Sequence, residues 1–159
     1  MIPDHKPSDF NISGEPIPET VADRILEYHI LPMIAVCNAM SVCVMVSLNS
    51  GWRSYKWEKS KKRSGGSQHT YGQREDGTFD ESKKGATDWT CDDFAHNKDR
   101  LLELMIEHTE YTRFCFYSGF IHCDYDDITD NKRQLFNIGK VWNEKEKKYE
   151  WKWVFDKFI

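Results

Sequence analysis

Arg113-Phe-Cys-Phe-Tyr-Ser-Gly-Phe-Ile-His-Cys-Asp-Tyr125 holds two strand-like runs, Arg113 to Tyr117 and Phe120 to Tyr125, either side of Ser118-Gly119. Aromatic and aliphatic side chains dominate both, as on a half-buried pleated surface. Side chains two apart on a strand leave by the same face, so His122 and Asp124 are expected to stand side by side.

The neighbouring segments supply the other layers. Upstream, Asp92 to His108 places Phe94, Leu101, Leu102, Met105 and Ile106 on one helical stripe, with Asp92 or Asp93 available as the cap. Downstream, Gln134 to Val141 and Tyr149 to Phe155 alternate large apolar with charged residues across the polar turn Asn143 to Lys148, the pattern of a terminal β-hairpin over 134-155.

Nearer the start, apolar positions from Val21 to Cys37 recur at three- and four-residue steps, predicting a helix kinked near Pro32 with Thr20 as its cap. Val42 to Leu48 predicts a short buried strand. Tyr55 to Lys84 is rich in Lys, Ser, Gly, Asp and Glu and reads as a long loop, a length that usually marks function. Met1 to Pro18 carries all but one of the prolines and reads as an irregular arm. Together these predict a single α+β domain over 1-159, an antiparallel sheet flanked by helices, and a monomer.

Composition excludes several classes. The chain has 159 residues, 39 % hydrophobic, 30 % charged and 14 % aromatic, which suits one globular unit rather than a disordered one. A net charge of −4 offers no basic field for nucleic acid. The apolar stretch Ile30 to Val46 is too short and too interrupted to span a bilayer. Met1 to Ser13 lacks an apolar run after a basic region, so no signal peptide is expected and synthesis in the cytoplasm is. Five cysteines with no CxxC pair fit reduced, buried thiols better than disulfides or a cysteine-cluster zinc site.

Three segments place metal-capable side chains where strands meet loops or ordered turns: Ser67-Gln68-His69, Gly85-Ala86-Thr87-Asp88 and Phe120-Ile121-His122-Cys123-Asp124. Two imidazoles and a carboxylate suit zinc. Three protein ligands leave a fourth position for water, whose pKa zinc lowers to about 7. His96 and His108 fall in the second helix and read as solvated, as does the short basic run Lys61-Lys62-Arg63. Trp142, Trp151 and Trp153 read as sugar-stacking or core residues, with at least one hairpin face in the core.

In chain order, Asn49-Ser50-Gly51-Trp52-Arg53-Ser54, Gly65-Gly66-Ser67-Gln68-His69, Gly85-Ala86-Thr87-Asp88 and Ser118-Gly119-Phe120-Ile121-His122-Cys123-Asp124 resemble the zinc peptidase family of D-alanyl-D-alanine carboxypeptidases and murein endopeptidases. That family reads S-G-Y-R-S, then S-x-H with A-x-D downstream, then an apolar pair before the last His. The closing segment is similar to the S-G-F-V-H-x-D of the murein endopeptidase branch, and the resemblance spans roughly Glu19 to Tyr125.

The resemblance implies a hedgehog/DD-peptidase-like fold with Zn2+ held by His69, Asp88 and His122. It implies that Arg53 lies at the site, gripping a substrate carboxylate or carbonyl or pinning the loop after its strand. Ser67 would brace the ligand loop or touch substrate. Two departures stand out. The excursion Gly72 to Lys83 is inserted between His69 and Asp88, with Glu75, Asp76 and Asp80 as alternative carboxylates. The positions where relatives carry a general base are Gly119 and Phe116. Asp124 is the candidate for that role, or for orienting an imidazole.

The activity implied is hydrolysis of D-amino-acid-containing stem or cross-link peptides of bacterial peptidoglycan, by carboxypeptidase or endopeptidase action. A phage endolysin or virion-associated lysin, released to the cell wall or carried in a virion, is expected ahead of an exported housekeeping enzyme. The alternative is a catalytically inactive zinc-binding module on the same fold.

Overall fold

A computed structural model describes residues 4–48, 50–127 and 131–159; the start of the amino-terminal arm and Asn49 of the Asn49–Ser54 segment lie outside the described residues. The helices are α1 (Glu19–Ile25), α2 (Leu31–Ala39), α3 (Tyr55–Ser60) and α4 (Phe94–His108). The strands are β1 (Val44–Val46), β2 (Ala86–Cys91), β3 (Arg113–Phe116), β4 (Ile121–Asp124), β5 (Gln134–Asn143) and β6 (Lys148–Phe158). They form one six-stranded sheet in the order β1-β2-β4-β3-β5-β6, so the chain is α+β.

The sheet is antiparallel at every pairing but one: β3 and β5 run parallel. The chain leaves β4 at Asp124, beside Arg113, and re-enters at Gln134 on the other side of the same Arg113. Passing round that end of β3 leaves β5 to run in β3's own direction, which alternation within each strand cannot foretell.

Register sorts the side chains by face. Thr87, Cys123, Phe114 and Leu135 align across β2, β4, β3 and β5, and all four are buried. Cys123, Phe114 and Leu135 join the core with Ile25 and Val36 of the first helices and Leu101, Leu104 and Met105 of α4. The next row, Asp88, His122, Cys115 and Phe136, must leave by the opposite face. Helices α1, α2 and α4 thus contribute to the core on one face, and the row that carries Asp88 and His122 lies on the other.

Several local expectations are corrected. The first helix starts after Pro18 rather than at a Thr20 cap, because proline's fixed φ and missing N–H suit that boundary. The irregularity near Pro32 is a π-helical turn, Leu26–Ile30, just before it. Pro32 cannot donate to the Tyr28 carbonyl, and the Tyr125 hydroxyl donates to it instead at 2.6 Å. Asp93 is the α4 N-cap through its backbone, left-handed at φ 49°, with no side-chain cap bond. The expected strand Val42 to Leu48 is trimmed to β1.

The supposed loop after Tyr55 begins with α3, because Ser54 Oγ accepts from Trp57 N–H at 3.0 Å and caps it. All five cysteines are free. Among the described residues no helix is long and apolar enough to cross a membrane.

Candidate metal centre

The inserted excursion must fold back if His69 and Asp88 are to meet, and it does. Asp80 N–H donates to Gly72 O at 2.9 Å, and Gln73 bridges Phe79, so the ends of the excursion lie together. Tyr71 then clamps the junction: its hydroxyl donates to Ala86 O at 3.0 Å and its ring lies on Gly85. Gly85 has φ +87°, and a Cβ there would collide with that ring. This closure delivers Asp88 one strand position beyond Thr87, opposite His122.

The three expected ligands converge. His122 Nδ1 lies 2.9 Å from Asp88 Oδ1, His69 Nε2 lies 3.3 Å from His122 Nδ1, and His69 Nε2 lies 3.7 Å from Asp88 Oδ1. All three side chains are buried, and together they could hold a metal ion. Glu75 and Asp76 are exposed, and the Asp76 and Asp80 carboxylates accept from Thr78 and Ser82, so none joins the cluster.

Both imidazoles are aimed by a second contact, and Asp88 is held through its backbone. His69 Nδ1 lies 2.8 Å from Gly51 O, so this nitrogen carries the proton and Nε2 presents its lone pair. His122 Nε2 lies 3.0 Å from Asp124 Oδ2, leaving Nδ1 for the cluster. Asp88 N–H donates to Ser50 Oγ at 2.5 Å, tying β2 to the segment that carries Gly51.

Asp124 is fully buried, and both its oxygens are engaged. Arg113 grips them through Nε at 2.8 Å and Nη2 at 2.6 Å, and Asp126 N–H adds a third donor at 3.1 Å.

Electrostatics follow from this packing. Burial opposes charge on His122, yet the Asp124 and Asp88 carboxylates outweigh it and hold the imidazole up at about 9. Burial dominates at His69 and lowers it to about 4. Burial also opposes charge on Asp124, but His122 and Arg113 overcome it and hold the carboxyl far below its usual range. Behind β2, fully buried His29 lies 2.9 Å from Lys84 O and 3.0 Å from Tyr111 Oη, and desolvation pushes it down to about 3.

The other named residues fall around this cluster. Ser67 Oγ accepts from His69 N–H at 3.2 Å, capping the 3-10 turn Gln68–Thr70 and so bracing the ligand. Arg53 N–H donates to His69 O at 2.9 Å. Its guanidinium lies 3.6 Å from the buried Glu58 carboxylate and 5.7 Å from the centre of the Trp57 ring, in the field of Asp88. His96 and His108 are exposed on α4.

Sequence reasoning missed the partners Arg113 and Trp153. Trp153 packs edge-on against His122 with ring centroids 4.9 Å apart, and its Nε1 donates to Tyr117 Oη at 2.9 Å. Arg113 stacks over the Trp153 ring at 5.0 Å. Folding the two strand runs about Ser118-Gly119 sets Arg113 opposite Asp124, a signal the sequence carries. Comparison with known proteins identifies no family: no protein-family model, curated protein or solved structure matches the chain.

Proposed function

We propose that the chain is a zinc-dependent peptidase of the D-alanyl-D-alanine carboxypeptidase and murein endopeptidase type, on their hedgehog-like fold, cleaving peptide bonds of bacterial peptidoglycan. The observation that carries it is the convergence of His69 Nε2, Asp88 Oδ1 and His122 Nδ1 from three separate stretches of chain. Donors about 2.0–2.1 Å from zinc at tetrahedral corners sit about 3.3–3.4 Å apart, and the observed separations of 2.9, 3.3 and 3.7 Å bracket that. Zinc held by three such ligands supplies Lewis acidity and an acidified water at its fourth position.

The protein's own groups divide the remaining work. Gly51 O and Asp124 fix which nitrogen each imidazole presents. With both oxygens engaged, Asp124 orients His122 rather than moving the reaction's proton. Arg53, half-buried beside the cluster and steadied by Glu58 and Trp57, offers a fork for a peptide carboxylate or carbonyl.

A second reading, a zinc-bearing module without activity, is favoured by one observation. Among the described residues only His69, Asp88 and His122 form such a group, and the positions for an upstream base are Gly119 and Phe116. One experiment separates the two: load the protein with zinc, measure the stoichiometry, and assay peptide release from purified peptidoglycan beside His122→Ala. One zinc per chain with release abolished in the variant supports the peptidase; one zinc per chain with no release supports the module. Failure to bind zinc overturns both.

A further inference from the structure

The terminal hairpin is longer than the sheet it joins. β3 pairs with β5 only along Gln134 to Asn137, so 138–143 and 148–153 run on as a two-stranded ribbon. Such a ribbon is marginal in water unless something covers it. This one carries Trp142, Tyr149 and Trp151 on the face that bears His122, with Tyr149 67 % and Trp151 65 % exposed. Among the described residues β6 has a strand partner on one side only, leaving an edge of unpaired backbone groups.

The order of charges along that edge indicates what fits it. Glu150 and Lys152 leave β6 by the face opposite the aromatic row and pair with each other at 3.5 Å. If β6 meets a second β6 antiparallel and centred on Trp151, Glu150 of each copy faces Lys152 of the other. Tyr149 of each then faces Trp153, and the two Trp151 side chains meet on the axis. Centring on Lys152 sets lysine against lysine; centring on Trp153 sets Glu150 against Asp156. A bulge between Leu135 and Phe136 of β5 skips Asp156 and ends regular pairing near Phe155, beyond the span this register needs.

We propose that β6 is a self-association edge, pairing with β6 of a second copy of this chain in the register centred on Trp151. The two-fold axis runs through the sheet, so both His69–Asp88–His122 groups lie on one face of a continuous twelve-strand sheet. The monomer expected from the sequence gives way to a dimer in solution.

Sedimentation equilibrium on the full 18.8 kDa chain tests this. The wild type is expected to reach twice the monomer mass as concentration rises. Glu150→Lys and Lys152→Glu are each expected to remain monomeric, because each sets like charges face to face twice. An equimolar mixture of the two variants is expected to recover the dimer, since every facing pair is then opposite in charge; that recovery also shows both variants folded. A wild type monomeric at its highest soluble concentration overturns the proposal. So does a dimer indifferent to both reversals, a mixture that fails to recover, or a monomer whose Trp151 is protected only by peptidoglycan fragments.

Discussion

Asp124 shows how much a single carboxylate does without touching the proposed ion. It accepts from Arg113 twice and from Asp126 once, and it sets the tautomer of His122. Removing one such partner typically costs about 10–100-fold in metal affinity. Asp124→Asn is therefore expected to weaken zinc binding by about that factor while keeping one zinc per chain, measured by competition with a chromophoric chelator. Unchanged affinity would show that His122 needs no such support.

The same residues set a pH profile for the metal-free protein. His122, raised to about 9 from 6.5, contributes stability that is fully present below pH 6.5 and is lost as pH rises through about 9. His69 and His29, lowered to about 4 and about 3, are buried neutral, so protonation of the unfolded chain erodes stability as pH falls below 6.5. The thermal midpoint without metal is expected to peak near pH 6.5 and decline on both sides. His122→Gln is expected to flatten the alkaline limb. A metal-free midpoint constant from pH 6.5 to 9 would contradict the His122–carboxylate arrangement.

At this scale the sequence was informative where residue type decides chemistry. His69, Asp88 and His122 are named by their kind and meet in space, and Ser67 braces His69 as one of its two readings expects. The aiming contacts were less legible. Gly51 acts through a backbone oxygen that every residue has, and Trp153 reaches His122 across the β3–β5 junction.

Between residues and the whole lie the elements, and here closure decides more than propensity. Gly85 is the hinge by which β2 leaves the excursion, with the Tyr71 ring on it and φ at +87°. Gly85→Ala is expected to cost about 2 kcal/mol or more, from the left-handed backbone and the collision together, by urea denaturation. A cost below that would mean Tyr71 can swing aside. Tyr125→Phe deletes the donor to the Tyr28 carbonyl, to which Pro32 has no N–H to offer. It is expected to cost about 1–3 kcal/mol with zinc affinity unchanged. Alternation and spacing foretold the long helix and the hairpin because each is a repeated local pattern. The parallel β3–β5 pairing and α3 escaped: one depends on the path round a strand end, the other on Ser54 capping a helix of only six residues.

For the molecule as a whole, a metal bound only by the folded state acts as a staple between distant parts of the chain. His69, Asp88 and His122 join a turn and two strands, so zinc at about a thousandfold above its Kd is expected to add about 4 kcal/mol of stability. For a chain of this size that is a rise of about 8–16 °C in midpoint. The rise should be larger at pH 9 than at pH 6.5, because the proton held by His122 competes with the metal below about 9. A scan in which zinc moves the midpoint equally at both pH values would mean that the metal sits elsewhere.

The excursion from Gly72 to Lys83 offers a practical handle. Its two ends are stitched by the Gly72–Asp80 hydrogen bond, while at its tip a Cβ added to Gly77 would meet open space. A fluorophore or affinity tag grafted at the tip would ride on a stalk whose base stays put, reporting on the protein from outside without tugging on the cluster beneath.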